Sequence, residues 1–125
     1  MESAENFIKR KNIEFKKKNS LITTKGIERK GEFYWKRDAW TFLPQSDYSE
    51  KVFIFERLKR EGFDGKFSHK NEWKKGTIEY RIGYFIVGKI GNAKGRWVWG
   101  QFCPMIPPLD FKKLIKKAEK EKVII

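Results

Sequence analysis

The sequence predicts an α+β domain: an antiparallel sheet of about four to five strands with two helices packed on one of its faces. Three observations carry this. Residues 77–90 alternate between two side-chain sets, residues 21–44 concentrate β-branched and aromatic side chains, and residues 108–121 repeat apolar positions at helical spacing.

The chain opens with "SAENFIKRKNIEFKKKNS", where Phe7, Ile8, Ile13 and Phe15 precede a run of three lysines. This pattern predicts a basic arm or frayed helix over 1–19, leaving 20–125 as a single α+β domain. Residues 21–44 read as two or three strands with a turn at Lys36–Asp38, closed by Pro44. Tyr48, Val52, Phe55 and Leu58 follow at helical spacing. Ser46 or Ser49 stands in a capping position and Gly62 at a stop, which predicts a helix over about 48–61. Residues 63–76 form a polar, glycine-punctuated loop.

A long hairpin is expected over 77–103. Ile78, Tyr80, Ile82, Tyr84 and Ile86 share one face of its first strand; Glu79, Arg81, Gly83, Phe85 and Val87 share the other. Gly91 to Gly95 reverses the chain, and "RWVWGQFC" returns. In the returning strand Val98, Gly100 and Phe102 are expected to face the core, with Trp97, Trp99, Gln101 and Cys103 opposite. A second helix, over about 108–121, begins at Pro108 and carries Phe111, Leu114, Ile115 and Ala118 on its apolar stripe. Its lysines form a solvated outer face.

Composition narrows the function classes. With 29 Lys+Arg against 16 Asp+Glu, the formal net charge is +13, and cations gather in residues 1–30 and 66–96. A field of that sign favours anionic partners. The lone cysteine, Cys103, cannot close an internal disulfide, so nothing marks an oxidising compartment. No leader pattern and no apolar run near the ~20 residues of a membrane span occurs. A cytoplasmic protein without a membrane partner is expected.

One cysteine and one histidine cannot supply the four ligands of a structural zinc site, and no dense acidic cluster suggests another metal. No cofactor motif occurs: the glycines of the hairpin are flanked by strand signals on both sides, unlike a phosphate-binding strand-to-helix loop. Cys103 and His69 form the only nucleophile–base combination of that type, and a lone cysteine beside Pro104 reads as a small packed side chain. A sharper catalytic set for cleaving RNA is His69, Glu79 and Arg81, with Lys89 near: an acid–base pair plus cations for the developing phosphorane charge. Glu79 and Arg81 share a strand face, so the set is sterically feasible. A cross-strand salt bridge explains the same pair.

The leading expectation is a nucleic-acid-binding surface. Trp97 and Trp99 stand two apart on one strand, so they share a face. Lys89, Lys94 and Arg96 flank them, Arg81 lies on the neighbouring strand, and Lys74 and Lys75 extend the basic stretch. Flat rings stack bases and cations neutralise phosphates, as single-stranded RNA or DNA requires. Gln101 and Asn92 add amides that could read a base edge. The alternatives are the small nuclease, and a protein-interaction module or inhibitor docking an acidic partner.

Overall fold

A computed structural model describes residues 1–17, 21–25, 31–65 and 71–125. It has two α-helices, α1 (Ala4–Lys17) and α2 (Pro108–Lys120), and five strands: β1 (Leu21–Lys25), β2 (Glu32–Pro44), β3 (Lys51–Phe63), β4 (Ile78–Val87) and β5 (Trp97–Trp99). The strands form one antiparallel meander in the order β1-β2-β3-β4-β5. The α+β class and the hairpin-linked sheet are therefore as expected.

The predicted helix over 48–61 is instead β3. Its helical spacing was a coincidence of a sequence, "VFIFERL", in which both faces of a strand are apolar. Val52, Phe53, Ile54 and Phe55 are all buried because α1 and α2 cover opposite faces of this central strand. The two helices thus do not share one face. Ser46 caps no helix following it; its amide and hydroxyl donate to the buried carboxylate of Asp110, in the first turn of α2.

The first face carries Phe53, Phe55 and Tyr84 against Leu114 and Ala118 of α2 and Val123 beyond it. The second carries Phe42, Val52, Ile54 and Phe85 against Phe7 of α1. Residues 4–17, expected as an arm or frayed helix, are anchored by Phe7, which is fully buried, and by Ser3, whose hydroxyl accepts from the Asn6 amide. Phe111, placed on the apolar stripe of α2 by its spacing, remains exposed.

The turn expected at Lys36–Asp38 is a β-bulge within a continuous β2. Arg37 pairs with Leu58 and Ala39 with Arg57, leaving Asp38 as the extra residue. The bulge shifts the alternation by one, so Arg37 and Trp40 fall on the same face. The β4–β5 pairing is shorter than the hairpin 77–103: only Phe85–Trp99, Ile86–Val98 and Val87–Trp97 pair directly. The reversal at Gly91–Gly95 is present, with both glycines at positive φ. Both faces of β5 are partly covered, so Trp97 and Val98 are each half-buried on opposite sides of the sheet. Trp97 packs under α1, whereas Phe102 is 80% exposed.

Candidate functional site

The α1-covered face contains one acidic residue where the apolar run of β3 would predict another hydrophobe. Glu56 is fully buried, and its neighbours across the sheet are Trp40 on β2 and Arg81 on β4. The Arg81 Nε donates to one carboxylate oxygen at 2.7 Å, and the Arg37 Nε donates to the other at 2.8 Å. A buried carboxylate demands such partners, because removing it from water uncompensated is costly. The bulge at Asp38 is what brings Arg37 to the correct face.

Each arginine also lies on a ring. The Arg37 guanidinium carbon is 3.7 Å from the Phe15 ring centroid, and that of Arg81 is 4.6 Å from Trp99. Lys11 of α1 adds a third cation, its Nζ 5.7 Å from Phe15 and 5.4 Å from Phe85, and 3.5 Å from Glu14. These groups, with Leu21, Ile22 and Thr23 of β1, line an open groove of about 420 Å³. Trp99 holds its place because Gly83 leaves room for it and its ring packs edge-to-face with Phe85, the centroids 5.1 Å apart.

A second groove of about 410 Å³ adjoins the first through Lys11, which lines both. Its other walls are Glu2, Arg10, Gly95, Arg96 and Trp97. Arg10 holds Glu2 in a two-pronged ion pair, both contacts 2.9 Å, and this hydrogen bonding keeps the Glu2 carboxyl below its ordinary pKa. Trp97 stacks on Phe7 at 4.8 Å and 19°, and its indole N–H donates to the Glu2 carbonyl.

Of the residues singled out in the sequence, Arg81 and Trp99 meet in the first groove, and Arg96 and Trp97 in the second. The expectation that both indoles face outward fails for Trp97: it is half-buried, with its ring against α1. Trp99 is 38% exposed. Lys89 pairs with Glu50, whose hydrogen bond raises the lysine's pKa above its ordinary value. Lys94 and Gln101 are exposed, as are Asn92 and, in the turn before β4, Lys74 and Lys75. None of these lines either groove.

The chain matches no family model, no curated protein and no solved structure.

Of the acid–base set expected from the sequence, Glu79 and Arg81 both lie on β4 and each is ion-paired. Glu79 accepts from Arg60 at 2.8 Å, the salt bridge that explains its presence opposite β3, while Arg81 is engaged with Glu56. His69 lies outside the described residues. Among the described residues no three His, Cys, Asp or Glu converge as metal ligands, and no helix is long and apolar enough to cross a membrane. Cys103 is exposed.

Sequence reasoning missed Lys11, Phe15, Arg37 and Glu56. The signal for Glu56 was present: a carboxylate following four consecutive apolar residues in a strand. Arg37 was hidden because nothing local marks a bulge in "YWKRDAW".

Proposed function

We propose that this protein binds single-stranded nucleic acid along the two joined grooves between α1 and β5. The observation that carries the reading is their shared construction. Each groove has one tryptophan of β5, each has at least one arginine, and Lys11 belongs to both. A single strand presents bases that can stack and phosphates that need cations, and this alternation of rings and positive charge suits it. Duplex DNA keeps its bases stacked on one another and gains less from an indole. The net charge of +13 adds a long-range attraction to any such polyanion.

Trp97 is assigned the task of fixing α1 at the groove wall, and Trp99 that of meeting a base. Base–aromatic stacking contributes about 1–3 kcal/mol per base. Arg81, Arg96, Arg10 and Lys11 are assigned to phosphates.

Fluorescence anisotropy with labelled 12-nucleotide RNA and DNA, single- and double-stranded, tests this over a salt series. The expected result is tighter binding of single strands. Log affinity should fall with log salt at a slope of about −3, for roughly four phosphates neutralised at about 0.7 each. Equal binding of duplex, or an affinity that salt leaves unmoved, would overturn the reading.

A further inference from the structure

β4 is ten residues long, yet β5 pairs with only its last three, Phe85, Ile86 and Val87. Beyond these, the Gly100 amide donates to the Tyr84 carbonyl, and the chain then leaves the sheet. Along Ile78–Ile82 the edge has no neighbouring strand among the described residues. Main-chain groups of successive residues point to opposite sides of a strand. The Thr77 carbonyl accepts from the Arg60 amide of β3 and the Val87 amide donates to the Glu50 carbonyl, whereas Tyr84 and Gly88 bond on the β5 side. The amides and carbonyls of Ile78, Tyr80 and Ile82 therefore point out from the open edge. Among the described residues, none bonds to them. A bare edge is a template for another strand. Nothing in "IEYRI" blunts this one: it has no proline, no lysine and no bulge.

We infer that this edge pairs with the same edge of a second copy of the chain, antiparallel, about a twofold axis at Tyr80. The edge selects that occupant because its side chains are self-complementary. Centred on Tyr80, the pairing sets Tyr80 opposite the partner's Tyr80, Ile78 opposite the partner's Ile82, and Glu79 opposite the partner's Arg81. The outward-pointing residues form the hydrogen-bonded pairs, so Glu79 and Arg81 fall at the non-hydrogen-bonded positions, where side chains stand closest. Sliding by two residues either way keeps the ladder but sets Glu79 against Glu79 or Arg81 against Arg81, and like charges directly opposite repel. One register is thereby favoured. Both groups keep bonding capacity: Arg60 takes one Glu79 oxygen and Glu56 takes the Arg81 Nε, leaving the other oxygen and the Nη groups. A strand from a different protein would gain the main-chain bonds without this side-chain match. Each copy uses the edge of the other, so the assembly closes as a dimer. The dimer goes beyond the strand-binding reading and does not depend on it.

The experiment measures the mass of the 125-residue chain by sedimentation velocity and light scattering, without nucleic acid, from micromolar to millimolar concentration. Reductant is present, because Cys103 is exposed. The expected result is a monomer–dimer equilibrium that stops at the dimer. Tyr80→Lys sets like charges together at the twofold axis and should weaken association by about tenfold or more, and Tyr80→Glu should do the same. Mixed in equal amounts, the two variants should pair with each other, since a lysine then faces a glutamate. Both lose the hydroxyl that bonds the main chain of Ile125, so mixing also controls for that loss. Only a register centred on this residue gives such a rescue. The native concentration series needs no variant, so it stands even if a substitution fails to fold.

A native chain that stays monomeric throughout would leave the edge to a strand of different origin and overturn the inference. Assembly past the dimer, association unchanged in both variants, or folded variants that stay apart on mixing would each overturn it too. None of these outcomes bears on the oligonucleotide titration, so the two readings stand or fall separately.

Discussion

The indole of Trp99 occupies the space above Gly83: a Cβ built on that glycine would come within 2.3 Å of the ring carbon Cη2. The reciprocal arrangement holds across the same strand pair, where a Cβ on Gly100 would come within 2.0 Å of the Tyr84 ring. An aromatic side chain laid over a cross-strand glycine covers exposed backbone and fixes pairing in a short strand. In β5, only three residues long, this substitutes for the missing ladder.

Gly83→Ala should therefore move Trp99 without abolishing the fold, because the clashing atoms are the far end of a side chain. The net loss of stability should be about 1 kcal/mol, the overpacking cost less what alanine gains over glycine in a strand. Acrylamide quenching should rise relative to the native protein, and oligonucleotide affinity should fall with it. Unchanged quenching would show that the ring does not depend on this glycine.

Glu56→Gln should be among the most damaging single changes. It leaves two guanidiniums facing one another over a buried amide, and breaking such a pair costs about 3–5 kcal/mol when fully buried. Since Arg37 and Arg81 keep some access to water, the loss should lie near 2–4 kcal/mol by urea denaturation. Combining it with Arg81→Gln should cost less than the two changes added, because they share one interaction.

Tyr34 should titrate well above the ordinary tyrosine value. Its hydroxyl donates to the Asp64 carboxylate, with the nearby charge of Glu32 adding to the effect, and its pKa is pushed up to about 12. A pKa raised in the folded state stabilises the protein fully below the ordinary value near 10 and loses that contribution as pH climbs through 12. Absorbance at alkaline pH should show a late step that Tyr34→Phe removes. A step already complete near the ordinary value would contradict the hydrogen bond.

Lys122→Gly should raise thermal stability. Lys122 has φ of 60° at the end of α2, where its amide donates to Glu119 and that of Val123 to Ala118. This is the Schellman arrangement, in which glycine avoids the steric penalty of a left-handed backbone. A gain of about 0.5–1 kcal/mol is expected, reduced from the full left-handed penalty by glycine's greater freedom when unfolded. Calorimetry showing a lower melting temperature would oppose it.

The strand alternation in 77–90 was legible because β4 keeps a period of two without a break, and α2 because its stripe and proline start coincide. The error over 48–61 has a physical cause. Buried on both faces, β3 lacks the alternation that separates strand from helix, and Tyr48, Val52, Phe55 and Leu58 satisfy the helical period by accident. The burial of Trp97 escaped notice for the same kind of reason: three paired residues give no pattern long enough to choose a face, and Phe7, far away in sequence, covers Trp97 by stacking on it. For the site, Arg81 and Trp99 were found through composition and proximity. Lys11, Arg37 and Glu56 required the bulge and the tertiary placement of α1, neither of which is written in a local pattern.

The first and last helices press on opposite sides of one central strand, which has an implication for how the chain is made. While it emerges from the ribosome, β3 can gain its α1 cover early, yet its other side must wait until Leu114, Ala118 and Val123 have been synthesised. Until then an aromatic surface stands bare on a nascent polypeptide, the stage at which self-association or chaperone capture is most favourable.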